Sequence, residues 1–170
     1  IKLDPVYRYF FEDGTMLDAR HGKEKFDEQI AAWPNEKKED IIRYLENTKT
    51  VYDLTEDVFL RNYLHKLKNF FTWPVARGIL NFGKIGAFDT MAGANQRSFR
   101  DPRLVKVFNR YATYNGSSPY LSPATLNVIA HVEIVKGAFY PEGGMYSITG
   151  SMVQLAKDIG VQFKFSTPAR

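Results

Sequence analysis

Near the start of the chain, aromatic side chains recur at every second position. Tyr7, Tyr9 and Phe11 follow this spacing, and the pair Asp13-Gly14 comes directly after them. Side chains along a strand point alternately to its two faces, and an Asp-Gly pair supplies the two positive-φ positions of a tight two-residue turn. The pattern therefore predicts a β-hairpin centred on this pair.

The next part of the chain has helical spacing instead. Ile41, Leu45 and Tyr52 recur at intervals that place them on one side of a helix, while charged residues cluster near its start. This spacing predicts an amphipathic helix over residues 36–57, preceded by a shorter helix near residues 23–32.

An Asp-Pro pair marks a further helix start. Asp101 can accept hydrogen bonds from free backbone amides, and Pro102 suits the first helical position. Leu104, Phe108 and Tyr111 then fall on one face. We therefore predict a helix that begins at this pair and buries those three side chains.

A Ser-Pro pair repeats the arrangement twenty residues later. Ser122 and Pro123 take the same two positions at the start of "SPATLNVIAH". The run "HVEIVKGAFY" that follows is rich in β-branched and aromatic residues, which predicts a strand interrupted at Gly137.

The C-terminal part combines a double glycine with a helix. In "FYPEGGMYSITGSMVQLAKDIGVQF", Gly143 and Gly144 lack Cβ atoms and can adopt positive φ. Gly160 suits a left-handed helix end, and the alternating residues 161–165 predict a strand. The apolar residues at helical spacing between these glycines are Ile148, Met152, Leu155 and Ile159.

This order of strand, glycine turn, helix and strand resembles a nucleotide-binding βαβ unit. However, the sequence contains neither G-x-G-x-x-G nor G-x-x-x-x-G-K-[ST]. Two interpretations of the double glycine stay open: a tight turn needed by the backbone, or a place where a ligand approaches the chain.

Together the elements predict an α+β fold with a mixed, mainly antiparallel sheet covered by helices. An orphaned strand at residues 161–165 offers an unpaired edge, so we expect self-association through this truncated face.

Composition and charge exclude several kinds of functional site. The 170 residues are 44% hydrophobic and include no cysteine, which excludes disulfides, thiolate metal sites and a cysteine nucleophile. The chain starts with Ile1 and shows neither a leader nor about 18 successive apolar residues. We therefore expect an excised fragment, and the redox compartment stays undetermined. The localisation that we expect is cytoplasmic, with peripheral association with a membrane.

Few residues have the spacing of a known catalytic or metal site. His21, His65 and His131 are far apart in sequence, so we predict no metal site. There is no G-x-S-x-G motif, and Ser117-Ser118 precedes a proline in a turn-like stretch, which disfavours a hydrolase.

Charge is distributed unevenly, with a net −5 in residues 1–57 and +9 in residues 58–170. Residues 58–88 contain five Lys or Arg, seven aromatics and no acid. This segment is interpreted as a peripheral membrane contact, an ordinary core helix or, less readily, a site for single-stranded nucleic acid. The predicted membrane-contact residues are Lys66, Lys68, Phe70, Phe71, Trp73 and Arg77.

The string "YATYNGSSPYLSPATLNVIAHVEIVKGAFYPEGGMYSITGSMVQLAKDIGVQF" resembles the middle region of phytoene desaturase-type carotenoid oxidoreductases. The matching features are an aromatic segment leading into Gly116 and Pro119, and the aromatic-Pro-x-Gly-Gly turn that begins at Tyr140. The N-terminal hairpin and the helix after it also look like the start of that family's substrate domain.

The resemblance implies a flavin enzyme whose FAD domain is assembled from separated parts of the chain. Residues 1–140 would be the inserted substrate domain, and residues 141–170 a segment returning to the Rossmann-like FAD domain. The dinucleotide fingerprint is missing, so FAD is expected only in the full-length protein, with none bound to this fragment.

The resemblance implies desaturation or isomerisation of a long polyene such as phytoene, in a protein that associates peripherally with membranes. Gly143 and Gly144 are the candidate cofactor-binding residues. No catalytic acid or base of the family can be assigned to a residue of this sequence. The alternatives are simple packing of the aromatic residues between domains, and a non-catalytic domain that binds a lipophilic ligand. The candidate substrate-binding residues are Tyr120, Phe139, Tyr140, Met145 and Tyr146.

Overall fold

The computed structural model describes residues 1–31, 33, 35–59, 86 and 88–168. These residues form two compact units. The larger unit is Asp4–Ala138, and the smaller one combines Ile1–Leu3 with Phe139–Arg170. The assignment of residues 1–140 and 141–170 to a substrate domain and a flavin domain stays a prediction.

The larger unit begins with the predicted hairpin. Strand β1 (Tyr7–Phe10) pairs antiparallel with β2 (Met16–Ala19). The backbone N–H of Phe11 donates to the carbonyl of Thr15 (3.0 Å), which leaves three residues in the loop.

The predicted two-residue turn is therefore wrong, because only Gly14 in this loop has a positive φ, of 80°. The backbone amide and the hydroxyl of Thr15 both donate to Oδ1 of Asp13, at 3.0 and 2.6 Å. These two bonds hold the loop in a longer form, in which a glycine at the last loop position takes the left-handed conformation.

Four helices follow the hairpin in the described part of this unit. They are α1 (Lys23–Ala31), α2 (Lys38–Phe59), α3 (Met91–Ser98) and α4 (Pro102–Asn109), and a 3₁₀ helix, Arg110–Asn115, continues α4. The predictions for α1, α2 and α4 are confirmed. Oδ1 of Asp101 accepts the backbone N–H of Arg103 at 2.9 Å, as expected of a helix cap.

The segment after Ser122 differs from its prediction. The hydroxyl of Ser122 donates to the carbonyl of Ser118 (2.7 Å) and caps no helix. Pro123 precedes a 3₁₀ helix, Ala124–Asn127, which leads into the short helix α5 (Val128–Ala130) and a π-helix, His131–Lys136.

The predicted strand in this segment is thus wrong. Strand propensity depends on the surroundings of a segment, and here tertiary packing outweighs it. Ile134 is buried in the core, and Glu133 is buried against cationic and hydroxyl groups of another helix. Gly137 ends the π-helix with a φ of 95°, and a Cβ at this glycine would lie 2.6 Å from Nδ1 of His21.

Aromatic side chains form the centre of the core. Phe108 is completely buried, and its ring stacks on that of Phe99 with centroids 4.6 Å apart. The ring of Tyr44 lies 4.5 Å from the ring of Phe108, and Phe26 meets it edge-on at 6.2 Å. The predicted buried face of Leu104, Phe108 and Tyr111 is confirmed.

The smaller unit contains one long helix, α6 (Tyr146–Asp158), which was predicted. Gly160, with a φ of 88°, follows its end, as expected. Residues 161–165 pair with no strand among the described residues, so the strand predicted there is not formed. A strand needs a partner for its backbone groups, and this unit offers only an isolated bridge between Lys2 and Phe139.

The β1–β2 hairpin is the one sheet in the described parts of the chain, where helices predominate. This architecture is compatible with an α+β class. The mixed sheet and the Rossmann-like neighbour remain proposals.

Replacement of Phe108 by alanine tests the aromatic core. We expect Phe108→Ala to lower the free energy of unfolding by about 3–5 kcal/mol, because the cavity would lie among several rings. Phe10→Ala, at an exposed position of the hairpin, is the control and should change stability by less than about 0.5 kcal/mol. Urea denaturation measures both, and equal losses would contradict the assignment of the core.

Candidate functional site

The double glycine forms a tight turn directly before α6. Gly143 and Gly144 both have positive φ, of 82° and 88°. The amide of Gly144 donates to the carbonyl of Pro141 (3.1 Å), and the carbonyl of Gly144 accepts the hydroxyl and the amide of Ser147, at 2.7 and 3.1 Å. The turn is therefore closed by its own backbone and by one side chain of the helix.

The space around these glycines shows what the backbone of the turn requires. A Cβ at Gly143 would lie 3.7 Å from Cβ of Ser147, and one at Gly144 would lie 3.8 Å from Oη of Tyr140. Both are ordinary contact distances, so the positive φ, and not crowding, accounts for glycine here. The role of Gly143 and Gly144 beside a cofactor stays a prediction.

The side chains predicted to bind substrate next to this turn are all exposed. They are Phe139, Tyr140, Met145 and Tyr146, and the last of them is 81% exposed. Their role stays a prediction.

The apolar face of α6 is exposed as well. No residue of this helix is buried, and Met152, Leu155 and Ile159 each expose more than 60% of their surface. Large contiguous apolar surfaces on proteins mark places where another surface or ligand binds. Within the smaller unit, the turn and the helix thus present apolar side chains with nothing packed over them.

The fifth candidate, Tyr120, belongs to the larger unit and is 65% exposed. It lines a cavity of about 350 Å³ together with Phe99, Arg100 and Lys106. All six predicted membrane-contact residues, between positions 66 and 77, lie outside the described residues. None of the helices in the described ranges is both long and apolar enough to cross a membrane.

A buried carboxylate was missed by the sequence analysis. Glu133 in the π-helix is almost fully buried and accepts three hydrogen bonds. Its Oε1 accepts one from Arg110 (3.1 Å) and one from the hydroxyl of Tyr111 (3.0 Å), and its Oε2 accepts one from the hydroxyl of Tyr114 (2.5 Å). Such a carboxylate is stabilised by charge-assisted bonds from every side.

Arg110 extends this network into the hairpin. Its guanidinium carbon lies 4.1 Å from the ring centroid of Tyr7, and its Nε donates to the hydroxyl of Tyr9 at 2.8 Å. The hydroxyls of Tyr7 and Tyr114 also form a hydrogen bond. We call Glu133, Arg110 and these tyrosines, including Tyr111, the Glu133 network.

The surroundings of the network favour the neutral form of two of its tyrosines. Burial, followed by the hydrogen bond to Glu133, raises the pKa of Tyr114 above its ordinary value. Burial also raises the pKa of Tyr111, with the charge of Glu133 as the next cause. Because the carboxylate of Glu133 accepts three hydrogen bonds from another helix, we interpret it as a group that holds these elements together.

The network was not predicted because residues 131–136, which include Glu133, were predicted as a strand. In a strand, Glu133 would lie on the opposite face from its two neighbours, Val132 and Ile134, on the side open to water. The detectable signal was the spacing of Tyr111 and Tyr114, which places two hydroxyls on one helical face beside Arg110.

The buried histidine of the π-helix lies next to a tyrosine. The rings of His131 and Tyr52 are 5.1 Å apart, and Nζ of Lys136 donates to the hydroxyl of Tyr52 at 2.6 Å. Burial lowers the pKa of His131, which favours a neutral imidazole. Among the described residues, no group of three or more His, Asp or Glu could hold a metal ion.

Comparison with curated proteins finds relatives whose sequences align with nearly the whole chain. The chain is 39% identical over 165 residues to a 1-hydroxycarotenoid 3,4-desaturase of Flavobacterium sp. (strain P99-3), covering 97% of this chain and 34% of that protein. It is 30% identical to a 4,4'-diapolycopene oxygenase of Methylomonas sp, covering 96% of this chain and 32% of that protein.

A hydroxyneurosporene desaturase of Rubrivivax gelatinosus is 34% identical over 122 residues, covering 72% of this chain and 23% of that protein. The chain spans about a third of the length of the first two relatives. No protein-family model matches it. These relatives confirm the resemblance that the residues around the glycine turn indicated.

Removing the charge of Glu133 tests the network. We expect Glu133→Gln to lower the free energy of unfolding by about 3 kcal/mol, because the partly buried Arg110 loses its counter-charge. Glu12→Gln, at an exposed position of the hairpin loop, is the matched control and should have almost no effect. Chemical denaturation at pH 7 gives both values, and a Glu133→Gln protein as stable as the control would refute this role.

Proposed function

Because this chain is a relative of the phytoene desaturase-type carotenoid oxidoreductases, we propose that it is the central part of a flavin-dependent enzyme of carotenoid biosynthesis. The enzyme removes hydrogen from a long polyene and so introduces a double bond. The observation that carries this proposal is the 39% identity to a carotenoid desaturase over 97% of the chain.

In this proposal the two units have different tasks. The larger unit is the inserted substrate domain, and the smaller unit returns the chain to the flavin domain. The exposed apolar face of α6 supports this division, since an exposed apolar face of this kind marks a surface against which another part of a protein packs. The rest of an enzyme about three times as long would supply that cover.

FAD is the proposed cofactor of the full-length protein. We expect parts of the protein outside these 170 residues to hold the cofactor, because the sequence lacks the dinucleotide fingerprint. The turn and α6 then contribute a surface that packs beside the flavin domain. We therefore expect this chain alone to bind no FAD.

The proposed substrate is a carotenoid, and the relatives indicate which kinds to test first. Two of the three relatives described above carry a hydroxylated carotenoid in their names, and the third is an oxygenase. An acyclic hydroxycarotenoid is therefore the first substrate to test, with phytoene as the second. Oxygenation of the polyene is the alternative reaction, and ligand binding without catalysis is the other alternative function.

If the substrate is an apolar polyene, the task of this chain is to bind the substrate and to orient it. Exposed aromatic side chains such as Phe139 and Tyr146 bury large areas when an apolar ligand covers them. Burial of this kind is non-directional, so it suits a long chain that must be positioned along its length.

Turnover by the full-length protein tests the proposed reaction. We expect purified flavin-loaded protein to convert an acyclic hydroxycarotenoid to a product that absorbs at longer wavelength and has lost two hydrogens by mass. Gain of oxygen would favour the oxygenase alternative. Unchanged substrate would favour a binding domain, and FAD retained stoichiometrically by the 170-residue chain alone would contradict the assignment of the cofactor to other parts.

A matched pair of variants tests the candidate substrate surface. We expect Phe139→Ser with Tyr146→Ser to lower kcat/KM for the polyene by about tenfold or more, since two apolar contacts would be lost. The control is Phe10→Ser with Met16→Ser, two exposed apolar residues paired across the hairpin. Equal activities of the two double variants would exclude this surface from substrate binding.

A further inference from the structure

A cavity of about 380 Å³ lies between α2 and α3 in the larger unit. Its remaining walls come from Gly86, Asp89 and the 3₁₀ helix Ala124–Asn127. The amide of Ala124 donates to the carbonyl of Asp89 at 2.8 Å, which joins these walls to each other. Sites for small molecules begin at about 300 Å³, so the cavity has room for one end of a long ligand. We call it the Asn127 cavity.

The side chain of Asn127 is a buried polar group in the wall of this cavity. The residue is only 6% exposed, and its Oδ1 accepts no hydrogen bond from any described residue. An unpaired polar atom that is buried lowers the stability of a protein, and the large majority of buried polar atoms have a partner. An unpaired amide oxygen beside a cavity therefore indicates that a ligand supplies the missing donor.

Most of the other polar side chains in the cavity wall already donate their hydrogens. The hydroxyls of Thr48, Thr50 and Ser98 each donate to a backbone carbonyl of their own helix, at 2.9, 3.0 and 2.8 Å. A hydroxyl that donates in this way can still accept a hydrogen bond. The Asn127 cavity is thus richest in acceptors, and it fits a ligand that donates a hydrogen bond.

The charge of the lining narrows the chemical class of this ligand. The described lining residues include no Lys or Arg, so an anion would find no counter-charge there. Their one carboxylate, that of Asp89, already pairs with Arg97 at 2.6 Å, which disfavours a cation. A neutral alcohol on a hydrocarbon chain matches both the acceptors and the apolar part of the wall. The apolar part consists of Val51, Ala94, Ala124 and the ring of Tyr44.

We infer that the Asn127 cavity binds a hydroxyl-bearing end of the carotenoid substrate, with the amide of Asn127 accepting a hydrogen bond from that hydroxyl. The inference rests on the proposed function, in which an acyclic hydroxycarotenoid is the first substrate to test. The terminal torsion of an asparagine has a broad energy minimum, so the amide can turn its oxygen toward the donor. A site of this kind selects against the same polyene without a hydroxyl, because the buried amide is then left unpaired.

Equilibrium binding of two carotenoids to the full-length flavin-loaded protein tests the inference. One carotenoid is acyclic with a terminal hydroxyl, and the other is the hydrocarbon of the same chain length. Quenching of tryptophan fluorescence gives the dissociation constant of each, and turnover of each is measured separately. The variant is Asn127→Leu, which removes the amide at similar volume. The control is Asn115→Leu, at an exposed asparagine outside the cavity lining.

We expect the unmodified protein and the control variant to bind the hydroxylated carotenoid roughly tenfold more tightly than the hydrocarbon, as one hydrogen bond allows. Asn127→Leu should bind the two carotenoids with similar affinity, because it has lost the acceptor and gained apolar surface. Its thermal unfolding temperature should not fall below that of the unmodified protein, since the replaced oxygen accepts no hydrogen bond from the described residues.

A second variant tests the cavity itself and does not depend on the folding of the first. Ala94→Leu adds three carbon atoms to the wall at a partly exposed position of α3. We expect it to weaken the binding of both carotenoids by a similar factor, because less room remains for the end of the chain.

Unchanged preference for the hydroxylated carotenoid in Asn127→Leu would overturn the inference. A lower unfolding temperature of this variant, together with weaker binding of both carotenoids, would also overturn it, because the amide would then support the fold. Conversion of both carotenoids at equal rates, with no effect of Asn127→Leu, would contradict the inference and leave the proposed function supported. A preference that depends on Asn127 without conversion of either carotenoid would support the inference and contradict the proposed function.

Discussion

The buried carboxylate of Glu133 connects the parts of the larger unit that are farthest apart in sequence. It accepts hydrogen bonds from Arg110, Tyr111 and Tyr114, and Arg110 in turn contacts two tyrosines of the hairpin. A buried carboxylate costs free energy unless it is paired and hydrogen-bonded, so the packing of these elements has to bring donors to it. The π-helix contributes Glu133 to this network, and the hairpin joins it through Arg110.

Most elements with local signals could be predicted from the sequence, although the turn type at Asp13-Gly14 and the cap at Ser122 could not. Elements that depend on distant partners were not predicted. The cap at Asp101 and the helix end at Gly160 need only neighbouring residues, and both were predicted. Residues 131–136 were predicted as a strand because their β-branched side chains favour one, but Glu133 required donors from another helix. The strand at residues 161–165 required a partner that the described residues do not contain.

The same distinction applies to the candidate sites. The glycine turn was found because two successive glycines are a strong local signal, and its residues carry the resemblance to carotenoid desaturases. The Glu133 network combines residues from separate segments, and only the spacing of Tyr111 and Tyr114 was a local signal, because their partner Glu133 comes from another helix. This network lies in the larger unit, whereas the exposed apolar helix α6 lies in the smaller one.

The central claim is that the apolar face of α6 is covered by the remainder of a larger flavin enzyme. Hydrogen–deuterium exchange of the α6 amides, compared between the 170-residue chain and the full-length protein, tests it most directly. Packing against a second surface suppresses local opening of a helix, so the account predicts that these amides exchange far more slowly in the full-length protein. Equal exchange rates in the two proteins would show that the helix stays uncovered and would contradict the claim.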